Sequence, residues 1–245
     1  MLKLLNSEKI IAEATEYCKS LPDSKQKVLK ESLCNGRALL RSSDQMKAYL
    51  YHYGNIHRQK LLKAYSKLPE YIFSRNFSVI DWGCGQGLGS IVLDEFIEEE
   101  KEVKNIITDI TLIEPSIHCL RQAIGYVQWT LPKAMLTAIS KKEDNISNDD
   151  ICLQESSVVH ILSNIVDMPE FSGKGLKEIL ASSPTYRHVI VMVSPFYPEE
   201  GRGKRMDEFC DSLERFQNVY SFQKHIDEWK EDYSCQIRIM DNCKK

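Results

Sequence analysis

The stretch Phe77-Ser78-Val79-Ile80-Asp81-Trp82-Gly83-Cys84-Gly85-Gln86-Gly87-Leu88-Gly89-Ser90-Ile91-Val92-Leu93 decides how this chain folds. Phe77 to Ile80 is apolar and β-prone, and Leu88 to Leu93 reads as a helix. Between them stand an acid and then glycine at every second position. That arrangement brings a backbone against a ligand: side chains at the glycine positions would fill the ligand's space, and some of the turn's φ angles would strain other residues. The helix that follows points its free N–H groups at whatever sits on the turn. The reading is a nucleotide-type site. The dinucleotide fingerprint Gly-x-Gly-x-x-Gly does not fit, because counting from Gly83 its last position falls on Leu88 and counting from Gly85 it falls on Ser90.

A second β-prone run, Ile107 to Ile113, ends in Glu114-Pro115-Ser116. A carboxylate at the tip of the second strand can accept from both hydroxyls of a ribose. Such a residue is expected to be solvated when no ligand is bound and to contribute little to folding; the plainer alternative is a solvated residue leaving a strand. Ser116 is placed to cap a helix over Ile117 to Gln128.

Asp81-x-Gly83-x-Gly85-x-Gly87 resembles the first motif of class I S-adenosylmethionine-dependent methyltransferases. The resemblance implies S-adenosylmethionine as cofactor, held by Asp81, Gly83, Cys84, Gly85, Gln86, Gly87, Glu114 and Pro115. Cys84, inside the turn, is either a reactive thiol or simply a small residue that fits. The order of elements agrees with that family's architecture. Strands are expected at Met135–Ser140, Val158–Leu162 and Val189–Val193, and helices at Gly175–Ala181 and Lys204–Phe216. The polar tract Lys141–Asp150 is expected to be a loop. Two closing strands, Asn218–Gln223 and Tyr233–Met240, have no full crossover between them and should pair antiparallel. The expected fold class is α/β: a doubly wound, mainly parallel seven-stranded sheet with a terminal antiparallel hairpin.

Residues 1–71 read instead as helices, Ser7–Ser20, Ser24–Leu33 and Ser43–Leu68, with breaks at Pro22-Asp23 and Cys34-Asn35-Gly36. They are expected to form an N-terminal helical cap on a Rossmann-like domain spanning 72–245. Tyr49, Tyr53 and His57 recur every four residues and share a helix face. That stripe either packs on the domain or lines a lid over the transferred methyl group. Gly54-Asn55 interrupts the helix as a kink or hinge.

The acceptor side is expected beyond the fourth strand, at Ser163-Asn164-Ile165-Val166-Asp167-Met168-Pro169. Asn164 could hold the acceptor or the methionine moiety, and Asp167 could act as general base or cap the next turn. These two are the candidate catalytic residues. His160, inside the strand, reads as a core histidine. The enzymes that methylate exocyclic base nitrogens carry Asn/Asp-Pro-Pro-aromatic where this chain has Asn164-Ile165-Val166-Asp167. Cytosine C5 chemistry needs a cysteine nucleophile, typically after proline, and no Pro-Cys pair occurs. Both departures count against DNA-base modification. Arg202, Lys204 and Arg205, in the loop expected over Ser194–Arg205, either grip an anionic group or are solvated.

Composition fits a globular protein: among 245 residues, 42% are hydrophobic and 27% charged. A net charge of −3 supplies no basic field for nucleic acid or an anionic membrane, so tight nonspecific nucleic-acid binding is not expected. The longest aliphatic run, Val189 to Val193, is far too short to span a bilayer, and the N-terminus lacks a secretory core, which gives an expected cytoplasmic setting. The eight cysteines include no closely spaced pair of the zinc-binding kind, so no metal site is expected and most read as small core residues. Methyl transfer to an unidentified acceptor, small molecule or macromolecule, is the leading reading. A methyltransferase-like protein that binds cofactor and works as an assembly or interaction factor is the alternative.

Overall fold

The computed structural model describes residues 5–103, 106–197, 201–225 and 234–242. The start of the last expected strand at Tyr233, the link before it, Cys243 and the residues 198–200 lie outside that set.

Seven strands form one sheet in the order β3-β2-β1-β4-β5-β7-β6. β1 (Phe77–Trp82) lies at its centre and pairs in parallel with β2 (Ile107–Ile113) on one side and β4 (Ser157–Ser163) on the other. A strand covered on both faces should read as a continuous apolar run, and every residue of β1 is buried. β3 (Met135–Ile139) closes one edge, and β5 (Arg187–Ser194) extends the parallel set. β7 (Cys235–Asp241) then runs antiparallel to both β5 and β6 (Gln217–Lys224), as expected of the closing pair. The order reverses between β1 and β4, and in open α/β sheets a ligand binds at such a switch point.

The N-terminal segment gives α1 (Ser7–Lys19), α2 (Asp23–Ser32), α3 (Ser43–Tyr49) and α4 (Asn55–Tyr65). Asn6 caps α1 by accepting from the Lys9 N–H at 2.8 Å, and Ser42 caps α3 through the Gln45 N–H at 3.2 Å. These helices share a core with the sheet: Ile10, Leu61, Ala64 and Tyr65 pack in the same cluster as Val79, Val92 and Ile161. Ser7 is buried and joined to Glu95 of α5 (Leu88–Glu100) through both its N–H and its hydroxyl. The opposite face of the sheet is covered by α7 (Lys174–Ser182) and α8 (Arg202–Asp211), while α6 (Ile117–Thr130) packs beside α5.

The kink or hinge expected at Gly54-Asn55 falls where an irregular helical turn ends, without a break in the helix. One π-helical turn, Leu50–Gly54, joins α3 to α4, and Gly54 and Asn55 both keep right-handed helical angles. Glycine is needed there for packing: a Cβ on Gly54 would come within 2.9 Å of Ile11 Cγ1 on α1. Arg202, Lys204 and Arg205 also sit differently from expectation, within α8 instead of an open loop.

Candidate functional site

At the end of β1 the chain turns through Gly83, Gly85 and Gly87, with φ of 60°, 54° and 80°. Their reasons differ. A Cβ on Gly83 would meet Ile165 Cγ2 at 2.8 Å, and one on Gly87 would meet Val127 Cγ2 of α6 at 3.0 Å. At Gly85 a Cβ would meet nothing within 4 Å. Gly83 and Gly87 therefore let neighbouring elements close up, whereas the space over Gly85 is open.

That space belongs to a cavity of about 420 Å³ lined by Asp81, Gly83, Cys84, Gly85, Gln86, Glu114 and Pro115, with Asn164 and Ile165 on the far wall. Gly87 is not among the lining residues. Glu114 accepts from the Gly85 N–H at 3.0 Å and from the Ser116 N–H at 2.8 Å. It is 8% exposed, and burial raises its carboxyl above the usual range. The expectation of a solvated strand-tip carboxylate is thereby corrected: Glu114 fastens the glycine turn to the start of α6, and oxygen lone pairs remain for a ligand. Ser116 caps α6, accepting from the Cys119 N–H at 3.3 Å.

Asp81 is buried beneath the turn and accepts from the Ser90 N–H at 3.1 Å and the Ser90 hydroxyl at 2.8 Å. Burial pushes its carboxyl up to about 7, against the pull of those two bonds. Gln86 donates to the Met46 carbonyl at 3.0 Å, tying the turn to α3. Burial raises the Cys84 thiol well above its ordinary value, which disfavours the thiolate there.

A second cavity, of about 520 Å³, adjoins the first; Gly36, Arg37, Tyr49, His57, Asn164 and Met168 line both. Asp167 lines the second only. Asn164 stands at φ 62° directly after β4. Its N–H donates to the Val193 carbonyl at 2.6 Å, and its side-chain oxygen accepts from Lys60 Nζ at 2.8 Å. Tyr49, Tyr53 and His57 cluster with ring centroids 5.2 to 6.1 Å apart; Tyr49 and His57 line both cavities and Tyr53 the second only. Burial holds the His57 imidazole well below its ordinary value and pushes the Tyr49 phenol up, so both are neutral near pH 7.

Two features lie elsewhere. His160 is buried in β4 between Trp82 Nε1 at 3.2 Å and His188 Nδ1 at 2.9 Å, as a core histidine should be. Of the basic cluster, Lys204 and Arg205 line neither cavity: Lys204 pairs with Glu208 on the surface at 3.3 Å, and Arg205 donates to the Asp167 carbonyl at 2.7 Å. The residue that sequence reasoning missed is Lys60, 1% exposed in the second cavity. Its position three residues after His57 on α4 was the one available signal.

No family model matches the chain, and no curated protein does. Among solved structures it is similar to the magnesium protoporphyrin IX methyltransferase (ChlM) of Synechocystis PCC 6803 with bound S-adenosylmethionine. That match has 10% identity and a TM-score of 0.50, covering 91% of this chain and 99% of the other. It is also similar to the plantazolicin methyltransferase BpumL in complex with S-adenosylhomocysteine, at 14% identity and a TM-score of 0.50, covering 94% of this chain and all of the other (100%). At such identities the likeness is one of fold. The chain has the class I S-adenosylmethionine-dependent methyltransferase fold. No helix among the described residues is long and apolar enough to cross a membrane.

Proposed function

We propose that this protein binds S-adenosylmethionine over the glycine turn and transfers its methyl group to an acceptor in the adjoining cavity. The observation that carries the reading is the open space above Gly85, where the backbone is bare and Glu114 and Pro115 form one wall. The cavity is of the size that small cofactors occupy, roughly 300–1,000 Å³. The bound sulfonium supplies an electrophilic methyl group, whose bond to sulfur breaks with its electron pair going to sulfur. The chain's own residues do the rest. Asp81 keeps the helix start and the turn in register through Ser90. Asn164, fixed by Lys60 and Ser163, presents its amide where the two cavities meet. Asp167 and the neutral His57 imidazole both line the acceptor side and can take the acceptor's proton.

Calorimetry with S-adenosylhomocysteine is the direct test, supported by mass spectrometry of whatever ligand survives native purification. Micromolar binding is expected. Failure of the folded protein to bind it, or preferential binding of NADH, removes the reading.

A further inference from the structure

We propose that the second cavity takes an uncharged hydroxyarene as methyl acceptor, its hydroxyl held by the tips of Tyr49 and Tyr53 and its proton passed to His57. The word acceptor rests on the proposed methyl transfer; the preference for an uncharged aromatic hydroxyl stands without it.

Unclaimed polar groups are the first ground. Tyr49, His52, Tyr53 and His57 are half-buried and all line the second cavity. They meet one another and Tyr51 as rings, at centroid distances of 4.7 to 6.2 Å, yet none of the four is hydrogen-bonded to a described residue. Inside a fold a tyrosine hydroxyl normally finds a partner, and polar groups without one call for an explanation. Two phenols and two imidazoles set donors and acceptors side by side, and a guest hydroxyl can use both. Ile56, Met168 and Pro195 add apolar wall, which suits an aromatic body, and about 520 Å³ gives it room.

Backbone geometry is the second ground. His52 and Tyr53 stand on the π-helical turn Leu50–Gly54, between Tyr49 at the end of α3 and His57 in the first turn of α4. Such turns are rare and occur most often at functional sites. The third ground is what the surroundings do to charge. Burial lowers both imidazoles, with Lys30 adding to the push at His52 and Lys60 at His57, and burial raises both phenols. A space that disfavours imidazolium and phenolate alike suits an uncharged guest.

His57 also lines both cavities, so it stands where a methyl group leaving the first meets a nucleophile in the second. A lone pair of the hydroxyl oxygen forms the new bond to carbon as the methyl–sulfur bond breaks onto sulfur. The O–H bond leaves its electron pair on oxygen and its proton on a nitrogen of the neutral imidazole. Once the oxygen is bonded to carbon that proton is strongly acidic, so an imidazole below its ordinary value still takes it and then releases it to water.

The test uses the full chain and probes built on one bicycle: 2-naphthol, naphthalene, 2-naphthoate and 2-naphthylmethylammonium, titrated without cofactor by ligand-observed NMR. 2-Naphthol is expected to bind about fivefold or more tighter than each of the others. Tyr49→Phe/Tyr53→Phe keeps the rings, so naphthalene affinity should stay within about twofold while the preference for 2-naphthol falls about threefold or more. Tyr53→Phe alone, expected to cut that preference about twofold, serves if the double variant does not fold. Transfer is read with labelled S-adenosylmethionine and phenol, 4-phenylphenol or 2-naphthol, at least one of which is expected to yield its aryl methyl ether. His57→Gln should slow that reaction about 100-fold or more, with 2-naphthol affinity within about fivefold of the parent. Naphthalene, the carboxylate or the ammonium binding as tightly as 2-naphthol overturns the proposal, as does a preference untouched by the tyrosine variants. So does a His57→Gln enzyme that is not slowed, or a parent that binds S-adenosylhomocysteine and methylates RNA, protein or nothing while forming no ether from the phenols. A parent that prefers 2-naphthol but does not bind S-adenosylhomocysteine counts against the methyl-transfer reading instead.

Discussion

The two cavities meet along Tyr49, His57, Asn164 and Met168, and they are made of different material. The first is a backbone site. Bare glycine, two N–H groups held by Glu114 and a helix start held by Asp81 shape it, and these residues come from two short stretches, 81–90 and 114–116. The second is a side-chain site, gathered from α2 to α4, the end of β4 and the segments flanking β5 and β7. A cavity made of backbone depends on turn geometry and tolerates little change in it. A cavity made of side chains can change its occupant by single substitutions while the scaffold stays. The contrast sets the order of the expected effects.

Gly85→Val should have the largest. A β-branched residue at φ 54° is strained, and its side chain fills the open space over the turn. S-adenosylhomocysteine binding is expected to fall on the order of 1,000-fold or more, about 4 kcal/mol. Because that Cβ meets no protein atom, the variant should still fold; calorimetry on a folded, unaffected variant would break the contrast at its strongest point.

Glu114→Gln comes next, and it should act on both binding and folding. Hydrogen bonds to charged groups contribute roughly 1.5–3 kcal/mol, so a neutral acceptor in place of the carboxylate should weaken cofactor binding by about 10- to 100-fold. Stability should fall by about 1–2 kcal/mol, since the Ser116 and Gly85 N–H groups lose part of their anchor. Urea titration alongside calorimetry separates the two losses. A binding loss with no change in stability would return Glu114 to the role of a simple ligand contact.

Asp81→Asn tests the turn's support through pH. The folded carboxyl titrates at about 7, above its ordinary 3.8. The folded state therefore binds the proton more tightly, and this contribution to stability is fully present below the unfolded value and lost as pH rises through about 7. Relative to Asp81→Asn, the parent should lose stability between about pH 4 and pH 7, by up to ~4 kcal/mol. Urea midpoints that run parallel across that window would show that Asp81 is not desolvated as its burial implies.

Gly54→Ala should have the smallest effect and touches only the scaffold of the second cavity. Its Cβ would crowd Ile11 at 2.9 Å, which should cost about 1–2 kcal/mol as α1 and α4 shift apart. S-adenosylhomocysteine affinity should stay within about threefold. A larger loss would mean that the two cavities are not separately supported.

Much of the fold could be read from the chain because its central strands are covered on both faces and so are plainly apolar, as β1 and β5 are. The glycine turn was legible for a related reason, since backbone sites leave glycine in the sequence. β3 gave a weaker signal: it is an edge strand with Met135 48% exposed, so its residues need not be apolar. The second cavity was nearly invisible. Lys60 stands among Arg58, Gln59 and Lys63, a setting that reads as a solvated helix face, and its partner Asn164 lies 104 residues further on. The role of Glu114 in holding the turn was hidden likewise, because a carboxylate bonding backbone N–H groups leaves no pattern of its own.

The pairing of Trp82 with His160 gives the protein an optical handle. Trp82 is fully buried at the end of β1, directly before the glycine turn, whereas Trp129 is 65% exposed on α6 and Trp229 lies outside the described residues. Its indole N–H is bonded to an imidazole that burial keeps neutral, so it should emit to the blue of a solvated indole and resist collisional quenchers. With Trp129→Phe and Trp229→Phe in the background, its emission becomes a reporter placed one residue from the turn. Any ligand that reorders that turn should register in it as a change in intensity or lifetime, with no label attached.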